Sequence, residues 1–138
     1  MYLATKGGGA TLNGVALTAT QTNDLDSAQI LTPRVTMQQR FWKDTPPQFK
    51  RHFRPSIAFR LALVGQGRFD AMLTLRPSWE WDIAAGSLIA NEAGALATDR
   101  RGKPLAFNTP SRQASGVVAA GASLHAALIG ALAPTPAA

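Results

Sequence analysis

The chain has 138 residues, 46% of them hydrophobic and 16% charged, which is enough for one buried core and too little for two ordinary domains. It has no cysteine, so disulfides, zinc–thiolate sites and thiol nucleophiles are excluded. Fourteen Lys and Arg against eight Asp and Glu leave a net charge of +6, concentrated in Arg34, Arg40, Lys43, Lys50, Arg51, Arg54 and Arg60, a stretch with one acid, Asp44. Such a block either attracts polyanions or phosphorylated ligands, or forms a solvated surface loop or a surface that pairs with acidic residues missing from this chain.

In chain order, the opening residues Met1 to Lys6 lack a basic segment followed by an apolar core, so they do not read as a secretory signal. Tyr2 to Thr5 and Val15 to Thr18 are short apolar runs, punctuated by Gly7-Gly8-Gly9 and Asn13-Gly14, and predict a β-hairpin. The glycine run is not a phosphate loop, because no G-K-[ST] follows it. Gln29-Ile30-Leu31 is a short buried strand, and Pro46-Pro47 breaks what precedes it. His52 lies among basic residues and reads as an exposed loop histidine.

Ser56 is an N-cap for a mostly buried helix through Ile57, Phe59, Leu61, Leu63 and Val64, ending near Gly65 or Gly67. Arg68 to Leu75 alternates as a strand, with Phe69, Ala71 and Leu73 on one face. Trp79 and Trp81 straddle Glu80 in opposite directions, one toward the core and the other free to stack on a base or at an interface. Asp82 opens a helix that runs to Gly94, and Glu92, far along it, reads as structural. Leu96 to Thr98 and Gly116 to Ala120 are strands, with a turn at Asp99 to Gly102. Ala122 to Leu132 is a closing helix with Leu124, Leu128 and Ile129 on its apolar face and His125 partly buried. Strands alternating with helices predict an α/β layered sandwich. The uncharged run from 113 to 138 carries His125, Pro134 and Pro136 and is rich in Ala and Gly. A membrane span needs about 20 strongly apolar residues, so no membrane partner is expected and a cytoplasmic location is.

Asp82 carries the chemistry. The first N–H groups of a helix have no intrahelical partner and the macrodipole is positive there. A carboxylate at that point stays ionised and suits a hard cation such as Mg²⁺. On this reading the amides of Ile83 and Ala84 face the same spot and accept a phosphate oxygen, and the small Ala84-Ala85-Gly86 lets a ligand approach the backbone. Ser56 and Ser87 lack His and Asp at triad-like spacing, so no serine nucleophile is expected.

The run from Glu80 to Gly94, with Trp81-Asp82-Ile83-Ala84-Ala85-Gly86 and Glu92-Ala93-Gly94, resembles the second signature of the inositol monophosphatase superfamily, W-D-x-A-A-G followed by E-A-G. Gly9-Ala10-Thr11-Leu12-Asn13-Gly14, Gly67-Arg68-Phe69-Asp70 and Val117 to Gly121 resemble further segments of its C-terminal half, in the family's order. The resemblance implies the C-terminal subdomain of the sugar-phosphatase fold over residues 1–133, with 134–138 as a flexible tail. It also implies a Mg²⁺-dependent phosphomonoesterase with Asp82 as a metal ligand.

Members acting on inositol phosphates usually carry a Glu on the strand before W-D, where this chain has Met72 to Pro77 and no carboxylate. Pro77-Ser78-Trp79-Glu80-Trp81-Asp82 is closer to the bacterial 3′(2′),5′-bisphosphate nucleotidases, which implies adenosine 3′,5′-bisphosphate as substrate, with inositol-1-phosphate hydrolysis as the alternative. Charge nominates Lys6, Arg54 and Arg60 for the second phosphate. The family's remaining metal ligands come from a Glu and a D-P-x-D-G-T signature, and this sequence has no D-P-x-D-G-T. A fragment or a naturally shortened chain is therefore expected, inactive alone and with no complete catalytic set. A homo-oligomer fits the exposed sheet edge that such a half would have. The competing reading is a non-enzymatic anion-binding or oligomerising module. No nucleic-acid partner is expected, since stacking aromatics at regular spacing are missing.

Overall fold

The computed structural model describes residues 1–134, and a four-tiered stack of sheet and helix runs through them. Its outer tier is a meander of β1 (Tyr2–Thr5), β2 (Gly9–Leu12) and β3 (Val15–Ala16), one strand more than the hairpin read from the sequence. The central tier is a five-stranded sheet built from β4 (Gln29–Leu31), β5 (Lys50–His52), β6 (Ala71–Thr74), β8 (Leu96–Thr98) and β10 (Val117–Ala120). Two helices cross between these tiers: α1 (Ile57–Gly65) and α2 (Glu80–Glu92). The closing helix α3 (Ala122–Ala131) covers the far face, and β7 (Ser78–Trp79) and β9 (Gln113–Ala114) form a small ribbon at one end.

The central order is β5-β4-β6-β10-β8, with β4 parallel to β5 and β6, and β10 antiparallel to β6 and β8. Side chains alternate across it, as a pleated strand requires. Met72, Val117 and Ala119 pack with Leu61, Val64 and Ile83 of α1 and α2. Ala71, Leu73, Val118 and Ala120 pack with Leu124 and Leu128 of α3, together with Trp42 and Phe49. A third cluster joins Ala10 of the meander to Ala62, Ile89 and Ala93 of the helices. This is a mixed α/β sandwich, as expected.

Four local expectations need correction. Phe69 packs on the α1 and α2 side while Ala71 and Leu73 face α3, because regular pairing begins only at Ala71 and the parity from Phe69 does not hold across the preceding turn. Lys50–His52 is a strand, held by parallel pairing to β4, so His52 is not on an exposed loop. Its ring meets Phe69 edge-on at 5.2 Å and its Nε2 is buried. Trp79 and Trp81 do not diverge, and α2 starts two residues before Asp82. Ser56 does cap α1, its Oγ accepting from the Phe59 amide at 3.2 Å, and Gly94 (φ +97°) ends α2 in the left-handed region that favours glycine. No helix of the described residues is long and apolar enough to cross a membrane. The tail read from 134 onward lies, apart from Pro134, outside the described residues.

Candidate active site

The start of α2 is fixed from below by Glu80, a residue that the sequence offered only as part of a motif. Glu80 is 7% exposed. Its carboxylate accepts from the Thr109 hydroxyl, from the Asn108 amide at 2.6 Å and from the Thr109 amide. Its own amide donates to the Arg112 carbonyl at 2.9 Å. The Thr109 hydroxyl above all, with the two loop amides, holds this carboxyl below the usual carboxylate range. Glu80 is thus a tether between the 108–112 loop and the helix, with its oxygens occupied.

Asp82 is different. It is the third residue of α2, is exposed, and its carboxylate has no hydrogen-bond partner among the described residues. Because α2 begins at Glu80, the Ile83 and Ala84 amides already bond to the carbonyls of Trp79 and Glu80 in the first turn. The amides left open by the helix are those of Trp81 and Asp82. The anion-facing end therefore sits two residues earlier than the sequence suggested. Ile83 itself is a core residue with no exposure, and Ala84 faces the neighbouring groove beside Phe107.

Asp82 opens onto a groove of about 670 Å³ that also contains Arg60, Thr74, Arg76, Trp79 and Trp81. The two indoles stack at 4.7 Å with 9° between their planes, and both are exposed, at 43% and 65%. A turn of helix has brought Trp81 back beside Trp79, which a strand-like alternation does not allow. Arg60 is 7% exposed; its Nη1 donates to the Arg54 carbonyl at 2.8 Å and its guanidinium lies 5.0 Å over the Phe53 ring. Burial, and then the nearby charge of Arg76, lower its affinity for a proton. Arg76 was not singled out from the sequence; its position directly before Pro77 at the strand exit was the available signal.

The other expected cations stand elsewhere. Arg54 lies over the Phe69 ring at 5.4 Å and does not line the groove. Lys6 sits in the meander turn near Glu92, whose carboxylate accepts from the Gly7 amide at 3.0 Å and the Gly9 amide at 2.9 Å. Those two bonds, with the Lys6 charge, hold Glu92 below the usual range. The glycine turn is thus filled by a carboxylate of its own chain. Ten residues separate Asp82 from Glu92, about 15 Å along the helix axis at ~1.5 Å per residue, so Lys6 and Asp82 mark opposite ends of α2.

A divalent cation such as Mg²⁺ wants near-octahedral oxygen coordination and usually more than one carboxylate. No group of three or more His, Cys, Asp or Glu suited to a metal exists among the described residues. Asp82 fits the part of one ligand, and this chain alone does not make a whole metal site.

The model of the family described as inositol monophosphatase matches residues 1–135. The chain is 34% identical over 125 residues to a fructose-1,6-bisphosphatase/inositol-1-monophosphatase of Methanothermobacter thermautotrophicus, covering 88% of this chain and 44% of that protein. It is 33% identical over 115 residues to the Nus factor SuhB of Escherichia coli K12, covering 74% of this chain and 41% of that protein. Among solved structures, the IMPase of Thermotoga maritima superposes with a TM-score of 0.76 at 27% identity, covering 94% of this chain and 49% of that one. The chain thus spans about half the length of the relatives it matches.

Proposed function

The chain belongs to the inositol monophosphatase family, a family of phosphatases, and from that premise we propose that its Asp82 face serves the Mg²⁺-dependent hydrolysis of a small phosphomonoester. The observation that carries this is the pairing, at the start of α2, of a carboxylate without a partner and two amides outside the helical ladder. Asp82 supplies one metal oxygen. The amides of Trp81 and Asp82, at the positive end of the macrodipole, receive a phosphate oxygen. Ile83 and Ala84 serve that site through packing and backbone shape rather than through free amides. The remaining metal ligands come from groups that this chain does not supply.

Within the family we place the substrate among bisphosphorylated compounds, with adenosine 3′,5′-bisphosphate first. Support comes from Pro77 to Asp82 and from the strand Met72 to Pro77, which carries no carboxylate where inositol phosphatases usually have a Glu. The dual name of the archaeal relative supports a bisphosphate as well, through fructose 1,6-bisphosphate. A cytoplasmic location and a homo-oligomer belong to the same proposal, the latter supported by the outer strands β5 and β8 of the central sheet.

The test is a chimera in which this chain replaces the matching segment of the Methanothermobacter relative. Mg²⁺-dependent phosphate release is expected from it, with adenosine 3′,5′-bisphosphate preferred over inositol 1-phosphate. Asp82→Asn is expected to cut the rate at least about a hundredfold, as loss of a charge-stabilising group at a reacting phosphate does. A folded chimera whose activity is indifferent to Asp82→Asn refutes the reading.

A further inference from the structure

Behind the Asp82 groove, and sharing its wall, lies a second cavity of about 570 Å³. Arg60, Arg76, Thr74 and Phe53 line both. Arg40 joins the lining of the second cavity from the segment before β5, so three arginines line it and no carboxylate does. The rest of its lining is largely apolar, including Val35, Phe41 and Leu75.

Arg60 is the telling member. A guanidinium this deeply buried is normally paired with a carboxylate or fully hydrogen-bonded. Here only Nη1 has a partner, the Arg54 carbonyl at 2.8 Å. Nε is buried without one. Burial first, and then the repulsion of another cation, Arg76, act on Arg60. The ring of Phe53 at 5.0 Å fixes its plane, and the Phe41 ring at 4.6 Å does the same for Arg40. Like-charged forks with no carboxylate among the residues lining the cavity are complementary to one ligand chemistry, a multiply charged oxyanion that accepts from several N–H groups at once.

We propose that the cavity walled by Arg40, Arg60 and Arg76 binds the second phosphate group of a bisphosphorylated substrate whose reacting phosphate lies at the Asp82 end of α2. The pairing of the two phosphates rests on the function proposed above. The anion site itself rests only on the arginines. It differs from the charge-based expectation, since Lys6 and Arg54 play no part and Arg40 and Arg76 replace them.

Calorimetry on the 138-residue chain in EDTA separates the two claims. Adenosine 3′,5′-bisphosphate is expected to bind about tenfold more tightly than adenosine 5′-monophosphate, the value of one added charge-assisted contact. Arg40→Ala and Arg76→Ala, both at exposed positions, are expected to erase that preference. Arg54→Ala, Lys6→Ala and Asp82→Asn are expected to keep it. Equal affinity for the two nucleotides in the unaltered chain overturns the proposal, as does a preference that survives both Arg40→Ala and Arg76→Ala.

Discussion

At the scale of single residues, three carboxylates in one helix do three different things, and their surroundings decide which. Glu80 and Glu92 are consumed by backbone amides, one at each end of α2, and each ties a neighbouring loop to the helix. Asp82 has no hydrogen-bond partner among the described residues. The motif containing all three was legible in the sequence, but this division of labour was not, because it depends on Gly7, Gly9, Asn108 and Thr109 arriving from distant segments. His125 shows the same dependence. It is buried, and Thr98 gives its hydroxyl proton to the Asp99 carbonyl at 2.8 Å, so the His125 Nε2–H donates to Thr98 at 2.7 Å. Burial lowers the pKa of this imidazole, so the folded chain favours its neutral form more than the unfolded chain does. The unfolded chain then binds the extra proton first, so stability contributed by neutral His125 is present above the unfolded value of about 6.5 and is lost as pH falls from there through the folded value. Urea unfolding at pH 7.5 and 5.5 should show this loss, and His125→Phe should remove the part of it that lies in that window. An unchanged slope in His125→Phe would assign the pH dependence to other groups.

Among the elements, the close crossing of α1 and α2 positions the site. A Cβ on Gly86 would stand 2.8 Å from the Leu61 Cβ and 3.2 Å from the Ala58 carbonyl oxygen. Neither is the flexible end of a side chain. Gly86→Ala gains up to about 1 kcal/mol of helix propensity, but overpacking of a rigid contact costs about 1–3 kcal/mol, so a net loss of stability is expected from thermal or urea unfolding. A neutral or stabilising result would mean that the helices separate easily. The helices themselves were read well, because Ser56, Gly94 and the apolar spacing of Leu124 and Leu128 are local signals. The start of α2 was misplaced because Trp79, which has no capping side chain, holds the N-cap position. The chain is turned there by the pairing of β7 with β9, where Trp79 meets Gln113, 34 residues away in sequence. β5 was missed for a similar reason: Lys50-Arg51-His52 looks like a basic loop and becomes a strand only beside β4.

The molecule as a whole stacks a meander, two helices, a mixed sheet and a closing helix, and places the Asp82 carboxylate, two open amides, the buried Arg60 and the exposed Arg76 at one end. That end was recognisable from Trp81-Asp82 onward, while Arg76 and the shared wall between the two cavities required the fold. The chain matches about half the length of its relatives, and the Asp82 carboxylate at the site has no hydrogen-bond partner among the described residues. The central claim is that Asp82 is a metal-facing wall. Titration of the isotopically labelled chain with Mn²⁺, followed by paramagnetic broadening of its amide resonances, tests this directly. The account predicts broadening centred on Trp81 and Asp82, displaced by excess Mg²⁺ and absent in Asp82→Asn, with the amides of Gly7 and Gly9 at the far end of α2 unaffected. Broadening that persists in Asp82→Asn, or that centres on any other carboxylate, would contradict it.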